Sequence, residues 1–366
     1  TAQIVARGVL NPGGFDSANG LGTLAFTLDV IADALEADPQ LGDGEFRARV
    51  LHAVTDAPEV DIPELGLSAV PYGANTGETY LELNGGVDPS AFNVTVSATM
   101  ARVGSFQTSV AGAFDAAAGG VPADVVALIV ANGFVDPSAN ANGAGFDLHT
   151  VLPNGTVAAL DRAARVQIIH NGAGVPEVDL WATLNGEDVD TMDQLPITLN
   201  FREATGFFTA PSGVRVDIYV ALAGESDPQA NAAVTVDDLS FEAGRTYRLV
   251  AVGTAADAPD TSVNSNVAPS VVVIDNATEA PMDNAQVALQ LFHGVTDAPA
   301  VDLFAERSNL GDAAEGARIL DGATYQAFSA PFPVSPADYV VSVTADASLE
   351  PIVRASLLAE ALAGAS

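Results

Sequence analysis

The stretch Leu289-Gln-Leu-Phe-His293-Gly-Val-Thr-Asp297-Ala-Pro299-Ala-Val-Asp302-Leu303 decides how this chain is organised, because it occurs nearly intact elsewhere. Arg49-Val-Leu-His52-Ala-Val-Thr-Asp56-Ala-Pro58-Glu-Val-Asp61 repeats it. A looser copy reads Val166-Gln-Ile-Ile-His170, with Pro176-Glu-Val-Asp179-Leu180 following it. The histidines lie 118 and 123 residues apart. A fixed period of this length marks repeated structural units rather than a single large domain.

A second signature, an apolar run ending in Val-Ala-x-Gly, marks the other half of the unit. It appears as Val130-Ala-Asn-Gly133, as Val250-Ala-Val-Gly253, and near the N-terminus as Val5-Ala-Arg-Gly8. The polar loops after it also match: Phe15-Asp-Ser-Ala-Asn-Gly-Leu-Gly against Val135-Asp-Pro-Ser-Ala-Asn-Ala-Asn-Gly. The second-half signature thus comes first, and the third copy of the first half, beginning near Ala285, has no second half after it. Joining the ends gives a wrapped histidine spacing of 125 residues, close to the other two. The expected organisation is a half unit at 1–44, complete units at 45–161 and 162–284, and a half unit at 285–366 that a 1–44 segment completes. That completion occurs within one chain, between chains, or in an array from which this sequence is an excerpt.

The segments between the signatures are short, rich in Val, Ile, Thr and Phe, and bounded by Gly, Pro, Asn and Asp. Val214 to Leu222 and Tyr339 to Thr344 read as sandwich strands. Val30 to Leu35 and Ser356 to Leu362 are the only helix-like pieces. The fold class is all-β, as tandem antiparallel immunoglobulin-like sandwiches. The His-x-x-x-Asp-Ala-Pro-x-Val-Asp signature resembles the secreted domain of unknown function 4397 family. The resemblance is close at 47–62 and 287–304 and looser at 164–181, where Gly172-Ala-Gly174-Val replaces the turn. It implies an immunoglobulin-like sandwich in an exported or cell-surface protein, and brings no catalytic residues.

Charge narrows the partners. The chain has 366 residues with 47 acidic and 13 basic residues, a net charge of −34. All the basic residues are Arg. Such a surface repels nucleic acid and anionic membranes, suits concentrated salt, and attracts divalent cations. With no Cys there is no disulfide and no thiolate chemistry. With no Lys there is no Lys–Asn isopeptide crosslink, so noncovalent contacts must hold any fibre unless a terminus is chemically linked. The start at Thr1 fits a chain freed of a signal peptide, or a trimmed one, and the expected location is extracellular or the cell surface.

Three residue groups could carry chemistry. His52, His170 and His293 share a strand phase with neighbouring apolar residues; they are either metal ligands or half-buried side chains bonded to the Asp-Ala-Pro turn, and recurrence in every copy favours the second. Asp56, Pro58, Asp61, Pro176, Asp179, Asp297, Pro299 and Asp302 read as turn and strand-start residues; calcium is the ion that their carboxylates would take. Asp188, Asp190 and Asp193 sit in an acidic run that lacks the ordered spacing of a calcium-binding loop. Asn93, Asn154 and Asn276 head Asn-x-Thr sequons. Nucleotide, serine-hydrolase and zinc-protease signatures are absent from the sequence, and no cofactor is expected.

The functional expectation is a noncovalent homopolymer: an extracellular structural protein assembling head to tail, with Ile4, Val5, Ala6 and Gly8 on the assembly strand. The alternative is an adhesin presenting loops to glycans or divalent cations. The chain is not expected to be an enzyme.

Overall fold

A computed structural model describes residues 2–15, 25–32, 34–42, 45–77, 80–84, 89–110, 124–186, 196–254, 264, 267–275, 277–279, 286–307, 317–335, 337–346, 348 and 350–357. Among the described residues the chain is mostly β, with one short α-helix, α1 (Pro228–Asn231), and two single-turn 3-10 helices at Pro12–Gly14 and Pro63–Leu65. The strands are β1 (Gln3–Arg7), β2 (Thr27–Ile31), β3 (Glu45–His52), β4 (Val60–Ile62), β5 (Leu67–Val70), β6 (Leu81–Asn84), β7 (Ala91–Val96), β8 (Arg102–Val110), β9 (Val126–Asn132), β10 (Asp147–Val151), β11 (Val157–Arg162), β12 (Ala164–His170) and β13 (Val178–Leu184). They continue with β14 (Ile197–Leu199), β15 (Phe208–Ala210), β16 (Arg215–Leu222), β17 (Val234–Ser240), β18 (Thr246–Val252), β19 (Ser270–Ile274), β20 (Val287–Leu289), β21 (Val301–Arg307), β22 (Ala317–Ala323), β23 (Phe332–Val334), β24 (Tyr339–Ala345) and β25 (Pro351–Leu357). The strands expected at Val214 to Leu222 and Tyr339 to Thr344 are β16 and β24.

The chain divides into two compact units. The first comprises Thr1–Arg165, Thr209–Arg215 and Ser240–Gly244; the second comprises Val166–Phe208, Val216–Leu239 and Arg245–Ser366.

In the first unit one sheet runs β5-β4-β7-β8-β11-β10-β9-β3-β6 and folds over a single core. Phe46 and Val50 of β3, Val60 and Ile62 of β4, Phe92 and Val94 of β7, Phe106 of β8, Ile129 of β9 and Leu148 of β10 meet there. The inward residues alternate along the strands, as a sandwich requires. Most pairings are antiparallel. One is not: β3 runs parallel to β9, with Val50 opposite Ile129, Leu51 opposite Val130 and His52 opposite Ala131. This pairing joins the two signatures into one sandwich. In the second unit β12 and β18 are neighbours in the sheet β15-β12-β18-β19, and β14-β13-β16-β17 forms another.

The helix-like reading is corrected at Val30 and Ile31 and at Ser356 and Leu357, whereas 358–362 lie outside the described residues. Val30 lies in the strand β2 and Ser356 in β25. Both runs are too short for an apolar stripe to distinguish helix from strand, and cross-strand pairing decides them. In β2 the partner is β1, from Gln3–Ile31 to Arg7–Thr27. Thr27 and the β-branched Val30 and Ile31 suit that state.

The Val-Ala-x-Gly glycine has a local cause. Gly8, Gly133 and Gly253 all adopt positive φ, at 81°, 82° and 103°. A Cβ on Gly133 would lie 2.2 Å from the Gly145 carbonyl oxygen, and one on Gly253 would lie 2.5 Å from that of Ala268. Only glycine permits both the conformation and the approach.

Candidate functional site: a histidine clamp and two open faces

The three motif histidines occupy one environment three times over. Each follows an apolar strand, so period two turns its ring inward, and each is at most 5% exposed. Nε2 lies 2.9 Å from the Pro58 carbonyl oxygen for His52, 3.1 Å from that of Pro176 for His170 and 3.0 Å from that of Pro299 for His293. Nδ1 accepts the backbone N–H two residues on, from Val54, Gly172 and Val295, each at 3.3 Å. A nitrogen that accepts an N–H carries no proton, so the ring is neutral with its proton on Nε2, which donates to the proline carbonyl. Burial pushes His52 below its ordinary pKa, and the bond to Pro58 opposes that shift.

One partner was not visible in the sequence. Tyr72, Phe201 and Tyr325 stand edge-on to the three imidazoles at 6.0, 6.2 and 6.3 Å. After each aromatic residue the chain takes a left-handed turn, at Gly73, Arg202 and Gln326. The N–H of that residue donates to the histidine carbonyl at 2.7, 2.8 and 2.7 Å. The turn residue differs in every copy, so no letter pattern marked it.

The motif aspartates serve as local acceptors. Asp61 takes the Ser97 hydroxyl and the Ala69 N–H, which hold its carboxyl below the usual range against desolvation. Asp179 takes the Thr198 hydroxyl and the Gly224 N–H. Asp302 takes the Gly322 N–H at 2.7 Å and Arg318 at 2.6 Å. Among the described residues one carboxylate group comes together, Asp302, Asp321 and Asp346, with ligand oxygens within 4.8 Å. Arg318 also pairs with Asp321 at 2.5 Å, so a guanidinium already faces two of the three acids. Asp188, Asp190 and Asp193 lie outside the described residues.

Asp56 does something different. Its carboxylate accepts the N–H groups of Val135 and Asp136 at 2.9 and 2.8 Å and the Asn140 amide at 3.1 Å. It thereby fastens the loop that follows Val-Ala-x-Gly to the turn that follows the histidine. Asp297, its counterpart in the third copy, is exposed.

Hairpin β1–β2 exposes apolar side chains on one face. Hairpin β1–β2 has the register of β9–β10 and β18–β19: Arg7 pairs with Thr27 as Asn132 pairs with Asp147 and Val252 with Ser270. The loop matches too, since Phe26 N–H donates to Val9 as Phe146 N–H does to Phe134. The buried residues do not match. Ile4 is 68% exposed where Ile129 is 2% and Leu249 is 1%. Leu28 is 58% exposed where Leu148 is 1%, and Phe26 is 49% exposed where Phe146 is 8%. The opposite face is covered: Val5 and Ile31 pack on Leu51 and Leu128, and the Arg7 guanidinium lies 4.8 Å over the Tyr72 ring. Val250 and Ile274 pack in the same way on Phe292, the counterpart of Leu51. Hairpin β1–β2 therefore makes the contact that β18–β19 makes with Phe292.

A cleft of about 290 Å³ is lined by Leu291, His293, Val301, Leu303 and Val343, among others. His293, Val301 and Leu303 are themselves buried and Leu291 and Val343 are half-buried; the apolar counterparts Val50, Val60, Ile62 and Val94 pack with Ile129 and Leu148 in the first core.

Residues 164–304 match the family model described as "Domain of unknown function (DUF4397)". The match takes in the second and third copies of the motif, and the resemblance read from the sequence holds there. No curated protein matches the chain. A solved structure, "The Bacillus anthracis TIE protein", aligns with 86% of this chain and 48% of its own length, at 9% identity and a TM-score of 0.19. The chain spans about half of that structure, and so low a score carries no argument.

Proposed function

We propose that this chain, which carries a DUF4397 domain over residues 164–304, is a noncatalytic extracellular structural protein that self-associates head to tail, hairpin β1–β2 of one copy completing the open sandwich of the next. The observation that carries this reading is the exposure of Ile4, Phe26 and Leu28 on a hairpin whose counterparts in β9–β10, Ile129, Phe146 and Leu148, are buried. Full burial of such side chains is worth roughly 1.5–3 kcal/mol each.

Internal repetition also supplies a register. By analogy with β3 and β9, Ile4 would lie opposite Leu291, Val5 opposite Phe292 and Ala6 opposite His293, in a parallel pairing. Strand addition of this kind satisfies edge N–H and C=O groups and places alternate side chains in the cleft. Asp297 would then accept the N–H groups of Leu10 and Asn11, the counterparts of Val135 and Asp136. A contact between unlike surfaces repeats into a filament wherever the rotation does not close.

The test is association of the intact 366-residue chain and of a chain lacking residues 1–44, followed by sedimentation and negative-stain microscopy. The reading expects filaments or long oligomers for the first and none for the second. A stable monomer at high concentration and high salt would reject it.

A further inference from the structure

We propose that Asn154 is an acceptor site for N-linked glycan, and that Asn93, with the same sequon, is closed to it in the folded chain. Transfer to Asn-x-Thr needs an accessible amide and a segment that can enter a transferase site. Asn154-Gly155-Thr156 meets both demands at the tip of the β10–β11 hairpin. Residues 153–157 are all exposed. The Gly155 N–H donates to the Leu152 carbonyl at 2.9 Å, and the Leu152 N–H to that of Thr156 at 2.9 Å. Gly155 takes a φ of 85° to close the turn.

Within this turn the Asn154 Oδ1 accepts the Thr156 N–H at 2.9 Å. That bond fixes the sequon as an Asx turn, leaves Nδ2 free for reaction, and draws charge from the amide whose proton must leave. Asn93 is arranged oppositely. Its Oδ1 accepts the Ser105 hydroxyl at 2.7 Å, the Thr209 hydroxyl at 2.9 Å and Arg165 at 3.4 Å. Its Nδ2 donates to Glu64 at 2.8 Å. Asn93 sits mid-strand in β7, so a transferase would have to unfold the sheet to reach it. Asn276 lies outside the described residues.

The glycan donor is a polyprenyl phosphate- or diphosphate-linked oligosaccharide. The bond from Asn154 Nδ2 to the anomeric carbon forms as the bond from that carbon to phosphate oxygen breaks. The Nδ2 proton passes to a base of the transferase, and the lipid phosphate leaves.

The experiment incubates the folded intact chain with a purified oligosaccharyltransferase and its lipid-linked donor, using an enzyme already active on a free Asn-Gly-Thr peptide. Peptide mass mapping reads the sites. The expected result is modification at Asn154, lost in N154Q and in T156V, with none at Asn93 until the chain is denatured. An unmodified Asn154 in the folded chain, or equal modification of Asn93 and Asn154 there, would overturn the proposal. Residue 154 lies on an exposed turn, and melting temperatures of N154Q and T156V equal to the parent's separate loss of the modification from misfolding.

Discussion

The ring of His52 joins two backbone groups six and two residues away, so it acts as a staple for the turn that links β3 to β4. Replacement by Gln removes a buried acceptor–donor pair and leaves the Val54 N–H or the Pro58 carbonyl unsatisfied. The expected loss is about 1–3 kcal/mol of unfolding free energy, measured by denaturant titration, and His293→Gln should behave alike. A variant as stable as the parent would contradict the staple. The pH response has a definite sign. The folded chain holds His52 below its ordinary value of 6.5, so the unfolded chain binds the proton more readily. The contribution is whole above pH 6.5 and is lost as pH falls through and below that value. Stability should therefore decline from pH 7 to 5 in the parent, and the slope should be shallower in His52→Gln.

Strands and turns show what the sequence could and could not reveal. The sandwich class, both signatures and the inward histidines were legible, because period two and repetition are written in residue letters. The aromatic ring beside each histidine was not, since Tyr72, Phe201 and Tyr325 come 20, 31 and 32 residues later through turns of differing length. The parallel pairing of β3 with β9 was equally hidden, because strand direction leaves no mark on alternation. The short runs at Val30 and Ser356 were misread, since pairing rather than propensity sets their state. The glycine of Val-Ala-x-Gly offers a check at this scale. Gly253→Ala would force a methyl group to within 2.5 Å of the Ala268 oxygen at positive φ. It should destabilise the chain by more than about 1 kcal/mol, read as a lowered melting temperature. Asp297→Ala should leave the melting temperature of the unassembled chain unchanged and speed dissociation of assembled material, because its proposed acceptor role exists only in the joint. If Asp297→Ala assembles and dissociates like the parent while the parent does assemble, that role fails and the joint itself stands.

At the scale of the molecule, apolar burial and charge oppose each other. A charge of −34 per chain resists the approach of two copies, and added salt shortens the range of that repulsion to about 8 Å at physiological ionic strength. Association should therefore strengthen with salt, whereas an assembly held by ion pairs would weaken. Ile4 and Leu28 supply the other side of the balance: a carboxylate at either position would be carried into an apolar cleft without a partner. The most direct measurement is sedimentation velocity on the intact chain and on the Ile4→Asp, Leu28→Asp double variant, across a salt series. The account predicts large species for the parent that grow with salt, and a monomer for the variant with its melting temperature preserved. A parent that stays monomeric at every salt concentration, or a folded variant that assembles as the parent does, would contradict it.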